Sequence, residues 1–365
     1  MRKIAGHILT PQGWRHGQLG FDERLGQLEE RAPSDGAKRY ILPGFIDLHV
    51  HGAANVDIME GGTSASTVAQ AHARHGTTAL LATTMTAPEA GIVRALQGIA
   101  AAMAMRAAGS ARILGVHLEG PFLNRERLGA QPPPVVEATL GMVQRFHALA
   151  PIRVLTMAPE ISGHLALIPK LVEMGIRVQI GHSAGTYDDG VAALRAGVSG
   201  FTHLFNGMSG LNQYQPGMVG AALAHAEYAE LIPDLEHVHP GAMRAALRGI
   251  PKLYCVTDAT AATGMPDGEY ALGSQRVFKC LSCVRLATGS LAGSALTMDQ
   301  ALRNLVSVGL DLADASNRLS RYPADYLGLP DRGQLAPGAW ADIVVLDEAL
   351  NVLEVYIEGV AVQLS

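Results

Sequence analysis

Downstream of residue 44 the hydrophobic period of the chain switches repeatedly. A short apolar run is followed by a longer stretch with helical spacing, and the pattern recurs to about residue 257. Continuous apolar runs of this length between turn residues predict buried strands, here at 46–51, 78–82, 113–118, 152–157, 178–180, 200–205, 229–232 and 253–257. Helices are predicted over 64–75, 88–105, 136–148, 163–173, 187–196, 240–248 and 297–308. Thr63 or Ser64 is placed to cap the first, and Arg195-Ala196-Gly197 has the basic-then-glycine ending of another. Eight strands alternating with helices require a parallel sheet, most simply a closed (β/α)8 barrel. The alternative, an open doubly wound sheet, usually has a glycine-rich phosphate loop after its first strand, and none follows here.

The two ends read differently. Turn residues at Pro11-Gln12-Gly13, Gly17, Gly20 and Pro33-Ser34-Asp35-Gly36 divide the beginning into short strands, and 343–346 and 352–357 are short strands again. The simplest topology joins 1–43 and 333–365 into one small β unit beside a catalytic barrel over 44–332.

Composition sets limits on function. With 365 residues, 48% hydrophobic and 17% charged, the chain is expected to be a soluble enzyme-sized protein. A net charge of −5 with no basic stretch argues against nucleic acid but leaves small anionic substrates open. No apolar run is long enough to span a membrane, and the longest, such as 99–105, suits a buried helix. Gly6-His7 and Gln12-Gly13 interrupt any secretory h-region, so a cytoplasmic protein is expected. Three cysteines fit a reducing compartment; Cys280 and Cys283 form a single C-x-x-C, too little for a zinc site by itself.

Polar residues recur where the predicted strands end: His49 and His51, His117 and Glu119, His182, His203, and Asp258. His49 and His51, two apart on a strand, share a face. Alone, such a pair is explained equally well by two core histidines bonded to backbone. In a barrel, however, strand C-termini converge on one mouth, and His49, His51, Glu119, His182, His203 and Asp258 would meet there. A nitrogen and oxygen donor set of this kind suits zinc or a similar divalent ion. The matching chemistry is metal-assisted hydrolysis, in which the ion lowers the pKa of water and polarises a carbonyl. An unligated carboxylate, here Asp258, can carry the proton from water to a departing amine.

These residues lie in segments through which the chain resembles the amidohydrolase superfamily, and within it the N-acetylglucosamine-6-phosphate deacetylase family. The segments are 43–52, 76–84, 117–123, 158–160, 181–187, 202–208, 256–264, 291–299 and 333–342. The resemblance implies a distorted (β/α)8 barrel with a small β-sandwich formed by both termini, in a homodimer. It implies that Glu119, His182 and His203 hold the main metal, that Asp258 is the acid/base, and that His49 and His51 can complete a second site. One or two ions would bind per subunit: zinc, or iron, cobalt or manganese in its place. Glu119 stands where many amidohydrolases have a carboxylated lysine. The implied reaction converts N-acetylglucosamine 6-phosphate to glucosamine 6-phosphate and acetate. Asn206, Gly207, His237 and Leu291 match substrate-contacting positions.

Two positions depart from the family. Gln131, in Gly129-Ala130-Gln131, replaces a histidine that helps hold the acyl carbonyl; it can donate a hydrogen bond but carries no charge. Tyr214, two residues before Pro216-Gly217, replaces an arginine that grips the phosphate. A lost charge-assisted contact costs about 1.5–3 kcal/mol, or about tenfold or more in affinity. Arg125 or Arg127, in a run that otherwise reads as solvated surface, could compensate. The departures keep three alternatives in view: an unphosphorylated or epimeric N-acetyl amino sugar, an amidohydrolase acting on N-acyl amino acids or cyclic amides, and a non-catalytic binding protein. The last would be expected to have lost ligands, and this chain retains them.

Overall fold

A computed structural model describes residues 1–32 and 38–364; the turn predicted at 33–36 lies outside them. The barrel strands are β1 (Phe45–Val50), β2 (Thr77–Thr84), β3 (Arg112–Glu119), β4 (Ile152–Met157), β5 (Arg177–Ile180), β6 (Gly200–Phe201), β7 (Glu230–Leu231) and β8 (Tyr254–Cys255). β1 to β6 form one parallel sheet in chain order, and β7 pairs in parallel with β8. A few backbone bonds complete the ring: Leu204 N–H to Glu230 O at 2.9 Å on one side, and Asp258 N–H to His49 O at 2.9 Å with His51 N–H to Ala259 O at 2.8 Å on the other. The result is a distorted (β/α)8 barrel, regular on one side and reduced to two-residue strands on the other.

The reduction has a local cause. The strand expected at 200–205 stops at Phe201, because His203 (φ 31°) and Phe205 (φ 81°) adopt left-handed backbone that cannot continue a ladder. Asp258 (φ 51°) terminates the β8 segment in the same way.

The predicted helices form as α1 (Ser64–Ala73), α2 (Glu89–Ala104), α3 (Leu140–Leu149), α4 (His164–Glu173), α5 (Tyr187–Ala196), α7 (Pro240–Gly249) and α8 (Met298–Ser307), with α6 (Gly217–His225) unforeseen. Residues Gly217 to Ala222 of α6 are buried, so it shows no polar face to mark its period. Helices at Leu312–Leu319 and Arg321–Leu327 also went unpredicted. Thr63 stands at the start of α1 without a side-chain capping bond, and the Ser64 hydroxyl donates instead to Ile58 O at 3.3 Å, so the expected cap is absent. α2 ends at Ala104, leaving Met105 exposed rather than buried. A four-stranded antiparallel insert (Gly268–Leu272, Gln275–Cys280, Cys283–Leu286, Leu291–Ser294) was also missed. Cys280 and Cys283 face each other at the tip of one of its hairpins as free thiols.

Both ends of the chain meet in a seven-stranded sheet, ordered Val360–Ala361, Val352–Ile357, Ile343–Leu346, Tyr40–Pro43, Arg2–Thr10, Gly13–Phe21, Leu25–Glu30. It curls on itself, since Leu25 N–H donates to Ala339 O and Gly359 N–H to Ala341 O, enclosing Ile4, Ile8, Leu19, Phe21, Ile343 and Val345. Glu358 ties this layer to the barrel by accepting from Arg106, Arg112 and Arg332, and Arg332 also pairs with Asp342. Among the described residues no helix is long and apolar enough to cross a membrane.

Glu358→Gln should destabilise the fold by about 1.5–3 kcal/mol, because the charge-assisted bonds from Arg106, Arg112 and Arg332 become neutral ones, leaving Arg332 only Asp342 as a counter-charge. Burial opposes ionisation of Glu358, but Arg112, Arg332 and Arg106 outweigh it and hold the carboxyl at about 2. Its contribution is therefore complete above the ordinary value of 4.5 and lost as pH falls toward about 2. Thermal melts of both proteins across that window should converge at the acid end.

Candidate metal centre

The alternation of β1 places Asp47, His49 and His51 on one face, toward the barrel interior. Asp47 staples β1 to the end of β8, accepting from Thr257 Oγ1 at 2.6 Å and Thr257 N at 3.2 Å. Burial pushes its carboxyl up to about 7 in spite of those bonds. At the end of β3, His117 and Glu119 separate in role. His117 is enclosed, with Nδ1 3.0 Å from Leu48 O and Nε2 2.7 Å from Thr156 Oγ1. Burial pulls its pKa down to about 4, which makes it a neutral core histidine.

Glu119 is the meeting point. Its Oε1 lies 3.0 Å from both His182 Nε2 and His203 Nε2. Its Oε2 lies 3.1 Å from His51 Nε2 and 3.4 Å from His49 Nε2. Asp258 Oδ1 closes the second side, 3.2 Å from His51 Nε2 and 3.4 Å from His49 Nε2. Three groups of donor atoms lie within 4.8 Å of one another: Glu119–His182–His203, His49–His51–Asp258 and His49–His117–Glu230. The third is closed by internal bonds, since both His117 nitrogens are committed to Leu48 O and Thr156 Oγ1, which leaves the first two as the donor sets open to a cation.

The outer hydrogen bonds set the tautomers. His49 Nδ1 faces Glu230 Oε2 at 3.1 Å, and His182 Nδ1 faces the carbonyl of Arg127 at 2.8 Å. Both partners accept only, so each Nδ1 carries the proton and each Nε2 turns a lone pair inward. The inward space is thus bounded by acceptors, which is what a divalent cation requires. Without one, protons are the remaining means of neutralising the carboxylates. Burial alone lowers the His51 pKa, but Asp258 and Glu119 outweigh it and raise it to about 9. His49 and then His51 hold Asp258 down at about 2 against its burial, and His49 with His182 and His203 holds Glu119 well below its ordinary value. The three strand-end residues His182 (φ 48°), His203 (φ 31°) and Asp258 (φ 51°) all have left-handed backbone, a cost of order 1–3 kcal/mol each.

Over this centre opens a cavity of about 140 Å³, lined by His51, Met85, Glu119, Gln131, His182, His203, Asn206, Gly207, His237, Asp258, Leu272 and Leu291 among others. Gly207 (φ 60°) is required there, since a Cβ would lie 3.1 Å from His182 Nδ1. Gly293 lets the insert approach Asp258, and Ser294 N–H donates to Asp258 O at 2.7 Å. His237 Nδ1 is committed to Asp234 Oδ2 at 2.6 Å, so Nε2 is the atom left for a ligand. Gln131 is pinned at both ends: Oε1 accepts from Thr86 N and Nε2 donates to Glu119 Oε2, each at 2.8 Å. Tyr214 lies outside the cavity, 86% exposed, in an adjoining groove that Arg127 also lines. The Asn124–Leu128 segment is more than solvated surface, because its Arg127 carbonyl fixes the His182 ring.

Glu230, Tyr254 and Asp47 surround the site and were not singled out in the sequence. The available signal was a carboxylate inside an otherwise apolar strand, Glu230 in 229–232 and Asp47 in 46–51.

The profile of the Amidohydrolase family matches residues 40–362. The N-acetylgalactosamine-6-phosphate deacetylase of Escherichia coli O157:H7 is 38% identical, with 97% of each chain covered. The N-acetylglucosamine-6-phosphate deacetylase of Lysinibacillus sphaericus is 39% identical over 87% of this chain and 84% of its own. A solved structure of a variant N-acetyl-D-glucosamine-6-phosphate deacetylase from Mycobacterium smegmatis, in complex with N-acetyl-D-glucosamine-6-phosphate, superposes with a TM-score of 0.92 at 33% identity, covering 99% of this chain and 98% of that one. The chain belongs to the amidohydrolase family of hydrolases, in the branch of the N-acetylglucosamine-6-phosphate deacetylases.

Proposed function

We propose that this protein hydrolyses the N-acetyl group of N-acetylglucosamine 6-phosphate, releasing acetate and glucosamine 6-phosphate. The observation that carries the reading is Asp258, a carboxylate at the floor of the cavity 3.2 Å from His51 Nε2 and beside the Glu119–His182–His203 set. Those three residues would hold one divalent ion, and His49 and His51 would hold a second. Zinc fits the donors, as do iron, cobalt and manganese. When bound, the metal supplies Lewis acidity and lowers the pKa of water.

The chain's own residues do the rest. Asp258 is ionised at neutral pH and accepts the proton of the attacking water. It then delivers that proton to the amide nitrogen, which departs as a neutral amine. Asn206, Gly207, His237 and Leu291 position the sugar, with His237 Nε2 available to a hydroxyl. Gln131 braces Glu119 as well as facing the ligand. Tyr214 and Arg127 line the groove next to the cavity, and Arg127 is the candidate cation for the phosphate in place of the family arginine.

A second reading changes only the epimer. It is favoured by the relative with 38% identity, whose own name specifies N-acetylgalactosamine 6-phosphate.

Asp258→Asn should lower kcat by about 10²–10⁴ while the ion held by Glu119, His182 and His203 stays bound, so that elemental analysis still finds at least one metal per chain. Acetate release should be compared for the gluco and galacto sugars with and without the 6-phosphate. Both phosphates should exceed their free sugars in kcat/KM, and equal values would place the phosphate outside the specificity. Arg127→Ala should raise KM about tenfold for the phosphorylated sugar and leave the free sugar unaffected. Turnover of N-acyl amino acids alone would favour a different amidohydrolase reaction.

A further inference from the structure

We infer that Glu230 is a positioning residue that couples the two halves of the ligand set, holding the ring of His49 on one side and the backbone of His203 on the other. The inference rests on the metal-centre reading above and concerns a residue outside the two open donor sets; Glu230 belongs to the group His49–His117–Glu230, whose His117 nitrogens are already bonded within the protein. Glu230 is fully buried in β7. Its Oε2 accepts from His49 Nδ1 at 3.1 Å and, more weakly, from His203 N–H at 3.4 Å. Its Oε1 accepts from the Tyr254 hydroxyl at 3.1 Å. Among the described residues no lysine or arginine pairs with it, and its ion-pair partner is His49.

A buried carboxylate without a permanent counter-charge is expensive. Here its one strong obligation is the proton on His49 Nδ1. That bond selects the tautomer whose Nε2 faces His51 and Asp258, and it makes the ring a better donor to a cation. The same oxygen restrains the amide of His203, whose left-handed backbone (φ 31°) has to be held from outside. His117, the neighbouring imidazole, has both nitrogens committed to Leu48 O and Thr156 Oγ1 and cannot substitute. One carboxylate therefore sets a ring in the His49–His51–Asp258 group and a backbone in the Glu119–His182–His203 group.

The test is calorimetric titration of the metal-stripped full chain with Zn²⁺, for the wild type, Glu230→Gln, Glu230→Leu and Tyr254→Phe. The wild type should take up two ions. Glu230→Gln keeps an acceptor for the ring N–H without the charge, and should weaken the second ion about tenfold; Glu230→Leu should weaken it about a hundredfold. Tyr254→Phe, which removes one bond to Glu230, should fall between the wild type and Glu230→Gln. A merely structural role would lower the melting temperature without grading ion affinity in this order. If the wild type takes up zinc and Glu230→Gln and Tyr254→Phe match it, the role of Glu230 is overturned while the metal reading stands. If the wild type takes up no zinc, both fall. Should Glu230→Leu fail to fold, the other two variants decide.

Discussion

The carboxylate of Glu119 lies between two pairs of imidazoles, one oxygen toward His182 and His203 and the other toward His49 and His51. Much of the barrel's irregularity follows from this arrangement. Five approaching side chains must come from four separate strand ends, and each must present one ring nitrogen or oxygen at about the same depth. β1 and β3 achieve this as regular strands. The β5, β6 and β8 segments do so by breaking just past their last strand residue, with His182, His203 and Asp258 in left-handed backbone. The gaps left in the ladder are bridged by a few backbone bonds, Leu204 to Glu230, Asp258 to His49 and His51 to Ala259, so the ring closes through the very residues that serve the site.

Such a centre is costly for a metal-free chain. Glu119, Asp258 and Glu230 are buried carboxylates, and the cations at hand are histidines rather than arginines. The surrounding bonds limit the cost by fixing orientation: Arg127 O holds His182, Glu230 holds His49, Gln131 holds Glu119, and Asp47 joins β1 to Thr257. In this shell Gln131 accepts from Thr86 N at Oε1 and donates to Glu119 Oε2 from Nε2, so its side chain belongs as much to the centre as to the ligand. Tyr214 is displaced from the cavity, and the groove it shares with Arg127 is where phosphate recognition has to be sought.

The regular half of the barrel was legible because apolar runs such as 152–157 are buried on both faces, and the strand ends stood out because charged side chains there have no structural need. Thr202 to Phe205 was misread as strand because hydrophobicity says nothing about φ at His203 and Phe205. α6 was invisible since nearly its whole surface is buried. The insert over 268–294 is mostly exposed and offers only weak alternation. Glu230 escaped because its significance lies in a partner, His49, 181 residues away. The ligand residues themselves are short-range signals, whereas the bonds that orient them are long-range and appear only once the barrel is closed.

The central claim is that the acceptor-bounded space around Glu119 is a divalent-cation site. Anomalous diffraction at the absorption edge of the copurified metal, from crystals of the unmodified protein, tests it most directly. The account predicts a peak between Glu119, His182 and His203, with a second between His49, His51 and Asp258 when metal is in excess. Crystals grown with excess zinc that show no peak in this space, or peaks only at the protein surface, would contradict it.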